Sequence, residues 1–260
     1  MVRPRLPASD RRISLAIGIV ALLIWEALAR AGVINTLFFP PPSAIGSELV
    51  RSFASGVMVE HLAATLLRVF PGLVLGGAAG LFLGLAMGAS RRLRVIFDPF
   101  VAGLHPIPKL ALLPLFMIMF GIGETSRVAA IAVASFFPML INAMAGVRQI
   151  SPIHFELARN YGAGRPQILS RVMLPGSLPL VLAGTRLAAN IALLITIAVE
   201  IAASDTGLGA LVWLSWQVLR VEQLYATLFV IAILGVGLSA GLQWLARRLV
   251  PWMPEPDRMV

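Results

Sequence analysis

The chain has 260 residues, 58% hydrophobic and 13% charged, with a formal net charge of +9 and no cysteine. A soluble domain carries about 25% charged residues, so an ordinary water-soluble enzyme, a disordered chain and a disulfide scaffold are excluded. The mean hydropathy of +0.89 points instead to an integral membrane protein.

A helix needs ~20 mainly apolar residues to cross ~30 Å of hydrocarbon. Six stretches meet or approach that length: residues 13–29, 70–89, 101–120, 128–147, 178–203 and 224–245. They predict one all-α transmembrane domain over residues 1–260. The first stretch is short but has no small-residue cleavage site before Arg30, so it reads as an uncleaved anchor. Glu26 in this stretch and Glu200 in the fifth are expected near the outer interface, either reaching water or serving function. After the first stretch, Phe39-Pro40-Pro41-Pro42-Ser43 forms a stiff, extended run. Ser43 is a candidate cap for an amphipathic segment, residues 44–67, expected along the outer face.

In the second stretch Gly72, Gly76, Gly80, Gly84 and Gly88 recur every fourth residue, a face suited to close helix packing. The third contains His105-Pro106-Ile107-Pro108-Lys109 and then Leu113-Pro114. Proline removes a donor and clashes with the preceding turn, so this helix is expected to kink or break. Such backbone at membrane depth either packs against neighbours or lines a cavity.

Most of the 21 basic residues fall in four segments. Arg3, Arg5, Arg11 and Arg12 lie in 1–12, and Arg91, Arg92 and Arg94 in 90–100. Arg148, Arg159, Arg165 and Arg171 lie in 148–177, and Arg247, Arg248 and Arg258 in 246–260. Basic residues concentrate on the cytoplasmic side, which puts both termini there and makes the positive charge a topology signal, not a nucleic-acid surface. Arg68, Lys109 and Arg186 are each open to two readings, as attractors of an anion or as ordinary interfacial side chains. Arg186 has the reach to snorkel.

The loop 148–177 reads as two short helices. Ser151 and Pro152 open the first, Gly162 and Gly164 turn the chain, Pro166 opens the second and Pro175 ends it. Tethered at both ends and too small for its own core, this basic helix–turn–helix is expected to dock into another protein's groove. The tethering argues against a DNA-reading role.

The same loop resembles the E-A-A-x-x-x-G-(x)9-I-x-L-P segment of ABC importer permeases. Glu156, Ala158, Gly162, Leu174 and Pro175 match, with Leu157 in place of the first Ala and Val172 in place of Ile. Flanking segments resemble the nitrate, sulfonate and taurine branch. These are Phe39-Pro40 with Pro42-Ser43, Thr65-Leu66-x-Arg68-x-x-x-Gly72, Pro106-x-Pro108-x-Leu110-Ala111-Leu112-Leu113-Pro114, Phe120-Gly121-Ile122-Gly123-Glu124, Glu200-Ile201-x-Ala203 and Gly207-Leu208-Gly209.

The resemblance implies a type I ABC importer permease fold with six transmembrane helices and a cytoplasmic coupling helix. It further implies a homodimer around one path in the bacterial inner membrane and two ATP-binding subunits. An extracytoplasmic solute-binding protein would deliver a small anion such as a sulfonate, taurine or nitrate. Glu156, Leu157, Ala158, Gly162, Ala163, Val172, Leu174 and Pro175 would couple the chain to the ATPase. Pro106, Pro108, Lys109, Pro114 and Glu200 are candidates for the translocation path. No cofactor is expected on this chain, with ATP and Mg used by the partner. A Walker A loop requires G-x-x-x-x-G-K-[ST], and the only lysine follows Pro108. His61, His105 and His154 are scattered, and no catalytic or metal-binding constellation is present. The alternative, an ion-coupled secondary transporter, would be expected to show internal repeats and mid-span charges, and the sequence offers no convincing repeat.

Overall fold

The computed structural model describes residues 8–251, and every regular element among them is helical. In chain order these are α1 (Ala8–Arg30), α2 (Pro42–Ala54), α3 (Val57–Ala89), α4 (Arg91–Leu104), a 3-10 turn (Lys109–Leu112), α5 (Leu113–Phe120) and α6 (Glu124–Arg148). Then follow α7 (Pro152–Asn160), α8 (Arg165–Ile168), a π turn (Leu169–Met173), α9 (Leu174–Ala203), α10 (Leu208–Gln217) and α11 (Val221–Leu249). Among the described residues four helices are long and apolar enough to cross a membrane, and α4 with Lys109–Phe120 makes a fifth if that bent pair is one crossing. The terminal arginines Arg3, Arg5 and Arg258 lie outside the described residues.

The bundle centres on α3, α6 and α9. Every fourth glycine of α3 faces α6: a Cβ at Gly76 would fall on the Ala132 backbone, at Gly80 on the Phe136 carbonyl and at Gly84 on the Leu140 carbonyl. Gly77, off that face, meets open space. The stripe therefore lets two backbones touch. At one end Leu85, Met139, Val147, Met173 and Val181 close the core; Met58, Leu208, Leu211 and Val230 form a second cluster from α3, α10 and α11.

Several expectations need correction. The segment 44–67 does not run as one surface helix. It divides at Gly56, whose φ of +82° ends α2, and α3 begins at Val57 and not at residue 70. At 33 residues α3 is ~50 Å long. Polar residues such as His61 and Arg68 hide its first turns from a hydropathy reading, yet the structure satisfies them internally. Ser43 does not cap α2. Its amide and hydroxyl donate to Glu26, at 3.0 and 2.8 Å, and Arg30 joins the same carboxylate. Glu26 thus ties α1 to the start of α2.

The third stretch breaks as expected, with a 92° bend between α4 and Lys109–Phe120. Its first helix starts at Arg91, inside the segment read as a cytoplasmic connection. Helix α10, too short to cross, was not anticipated. In the loop, Ser151 precedes α7 without a side-chain capping bond. Pro175 does not end the second helix. It lies just after the π turn Leu169–Met173, and the helix Arg165–Ala203 runs on through it.

Candidate functional site

Three features stand out: a partly buried ion cluster at one end of the bundle, the bend in the third apolar stretch, and the α7–α8 unit at the opposite end.

The cluster is built around Arg68, which is 3% exposed, and Glu200, which is fully buried. Arg68 Nη1 donates to Glu200 Oε1 at 2.8 Å and to the Thr206 carbonyl at 2.6 Å. Its Nε and Nη2 grip Glu124 as a bidentate pair at 2.7 and 2.8 Å, and Nη2 also donates to Thr206 Oγ1. The other Glu200 oxygen accepts from Thr65 Oγ1 at 3.0 Å and from the Gly209 amide at 2.9 Å. Arg127 closes the cluster, bonding Glu124 and donating twice to the Ala203 carbonyl at the end of α9. His61 brackets Gly207, whose amide and carbonyl both lie near Nδ1. Gly207 has a φ of +108°, and a Cβ there would strike the Glu200 carboxyl.

Arg68 and Glu200 thus meet with all five guanidinium donors and both carboxylate oxygens engaged, the condition under which burying charge is tolerable, while Glu124 stands 57% exposed at the cluster's outer edge. The cluster joins α3, α6, α9 and the entry to α10. Glu200 therefore does not reach interfacial water, and Arg68 holds its donors on carboxylates and Thr206 rather than offering them to an anion.

At the bend, Pro106, Pro108 and Pro114 are all exposed. Lys109 Nζ donates to the carbonyls of Leu104, His105 and Ile107 and sits 4.5 Å from the centroid of the buried Phe137 ring on α6. Arg186 is exposed along α9.

The third feature projects from the loop end. Phe155 of α7 packs on the Met139–Val147–Met173 core, anchoring the unit. Ile153, Leu157 and Tyr161, spaced by four and so on one helix face, are 62%, 55% and 85% exposed. Glu156 is exposed and Ala158 half-buried beside them. Gly162 turns the chain with a φ of +76°, and its amide closes on the Arg159 carbonyl at 2.9 Å. Ala163 follows, half-buried, its amide on the Ala158 carbonyl. Val172 lies in the π turn, and Leu174 and Pro175 open α9.

The cluster is not visible segment by segment, although most of its residues lie in motifs that the sequence displays. Thr65, Arg68, Glu124, Glu200, Gly207 and Gly209 belong to four separate motifs that the fold gathers into one site. The available signal is charge balance: Arg68 and Arg127 answer Glu124 and Glu200 toward one end of largely apolar helices.

A bundle with four helices long and apolar enough to cross a membrane, and a bent pair that makes a fifth if it is one crossing, is the architecture of a membrane-integral protein. Residues 61–254 match the family described as binding-protein-dependent transport system inner membrane component, and the chain belongs to that family. It is 38% identical over 253 residues to the taurine transport system permease protein TauC of Escherichia coli, covering 95% of this chain and 92% of that one. It is 32% identical to the aliphatic sulfonates transport permease protein SsuC of Bacillus subtilis, covering 90% and 84%. Among solved structures, an inward-facing MetNI methionine ABC transporter chain superposes with a TM-score of 0.61 at 19% identity, over 71% of this chain and 92% of that chain. A chain of an amino acid ABC transporter also gives 0.61 at 19% identity, over 79% and 98%.

The protein is thus a membrane-integral permease subunit of an ABC importer with the type I importer fold, and ATP hydrolysis belongs to a separate subunit. The secondary-transporter alternative is set aside.

Proposed function

We propose that this chain carries a small sulfonate-class anion, taurine foremost, across the bacterial inner membrane. Two copies would enclose one path, receive solute from an extracytoplasmic binding protein, and be driven by two ATP-binding subunits that use ATP and Mg. The 38% identity to a taurine permease supports the solute class. Six crossings are proposed: α1, α3, the bent α4–α5 pair, α6, α9 and α11. Arg91 and Arg92 at the start of α4, Arg148 at the end of α6, Arg165 and Arg171 in the loop, and Arg247 and Arg248 at the end of α11 favour a cytoplasmic loop end with both termini on that side.

The observation that carries the coupling role is the apolar ridge of Ile153, Leu157 and Tyr161 on a basic unit that has no core of its own. Contiguous apolar surface on a segment outside the bilayer marks a protein contact. Glu156, Leu157 and Ala158 would seat in the ATPase, with Gly162 and Ala163 fixing the turn. Val172, Leu174 and Pro175 would carry its motion into α9 through one continuous helix. The bent pair, with Pro106, Pro108, Lys109 and Pro114, would wall the path, and Glu200 would act behind it through the ion cluster.

The test is Gly162→Pro in the reconstituted transporter. Proline holds φ near −65°, incompatible with +76°. The variant is expected to insert normally and to lose ATP-driven uptake. Normal uptake would refute the coupling role.

A further inference from the structure

We infer that Lys109 is the positioning residue of the bent span, its side chain supplying the hydrogen-bond donors that the proline-bearing backbone lacks. The inference rests on the reading of that span as a wall of the path. In an unbroken helix each carbonyl accepts from the amide four residues on. For Leu104 that residue is Pro108, which has no N–H. The last regular bond of α4 is His105 N–H to the Val101 carbonyl at 2.9 Å, and Ile107 N–H reaches Leu104 only at 3.3 Å. The Leu104 carbonyl thereby loses its regular donor and keeps only this long bond, while the bend takes the His105 and Ile107 carbonyls away from the amides of Lys109 and Ala111, the latter donating to Pro108 instead; the three carbonyls converge where an unpaired polar group is costly.

Lys109 Nζ meets all three, at 3.0, 2.7 and 2.7 Å. An ammonium has three donors about one compact centre, whereas a guanidinium spreads its donors in a plane. That distinction accounts for the chain's only lysine among 21 basic residues standing at this position. Its charge also complements the negative end of α4. The same ammonium lies over Phe137, and the His105 ring is 5.4 Å from that ring, so one side chain closes α4, holds the turn and seats the bend on α6. Among the described residues no carboxylate pairs with it. With its donors committed to the backbone, Lys109 governs how fast solute passes and not how solute is recognised.

Two measurements test this. In proteoliposomes holding the full transporter, with taurine as probe, Lys109→Met is expected to lower maximal uptake about tenfold with KM within about twofold, and Lys109→Arg is expected not to restore it. A raised KM with unchanged maximal uptake would overturn the inference in favour of a solute contact. Second, thermal unfolding of the purified permease is followed for Lys109→Met in the native background and in Pro106→Ala/Pro108→Ala, where the segment is free to form a regular helix whose amides at 108, 109 and 111 serve the three carbonyls. The expected fall in Tm is about 3 °C in the native background and less than about 1 °C without the prolines. Equal falls in both would overturn it. The unfolding cycle needs no solute, so it fails or holds independently of the taurine assignment.

Discussion

At one end of the α3–α6–α9 bundle, Arg68, Arg127, Glu124 and Glu200 sit in apolar helices and find their partners within the chain. At the other end Ile153, Leu157 and Tyr161 sit on a basic, projecting unit and find none. Both regions break the usual pattern of polar outside and apolar inside, in opposite senses. A charge whose bonding capacity is filled by its own chain is architecture, and its removal should be felt as instability. An apolar ridge left open beyond the bilayer is an interface, and its removal should be felt only when the partner is present.

The largest effect is expected at the ion cluster. Arg68→Met leaves Glu200 buried without a counter-charge and is expected to cost about 3–5 kcal/mol, seen as loss of monodisperse protein and a large fall in Tm. Adding Glu200→Leu should recover much of that loss, because an apolar pair of similar volume replaces an ion pair with little penalty. Next, Gly76→Ala presses a methyl group against the Ala132 backbone and should destabilise by about 1–3 kcal/mol, whereas Gly77→Ala is expected to be neutral or stabilising by up to about 1 kcal/mol. Thermal melts of the two variants side by side separate the packing face from the rest of α3. Glu124→Gln weakens a carboxylate that is half open to solvent and should cost about 1 kcal/mol by the same assay. Smallest in stability is Leu157→Asp, expected within about 0.5 kcal/mol of the parent, yet uptake with the ATPase present should fall severely.

Much of this was legible because long apolar helices announce themselves and because proline and glycine act locally. The break at Pro106–Pro108, the glycine stripe of α3 and the turn at Gly162 each follow from one residue type in one place. What was not legible depends on distant partners. Residues 57–69 look too polar to continue a span until Thr206, Gly207 and Glu200, more than 130 residues away, are seen to satisfy them. Helix α10 is ten residues long and carries too little apolar length to register as a crossing; its place is set by burial against α9 and α11. Pro175 reads as a terminator, yet Arg165–Ala203 is continuous through the π turn just before it, a backbone adjustment that no residue type announces.

The most direct measurement uses the absence of cysteine. With Leu157→Cys as the sole thiol in the permease and a single cysteine placed on the ATP-binding subunit, oxidative cross-linking reads contact at the ridge. A disulfide-linked permease–ATPase species whose yield changes with nucleotide is expected from Leu157→Cys, and none from Val236→Cys on the exposed flank of α11. Equal yields from both positions, or none from Leu157→Cys while uptake persists, would contradict the coupling role.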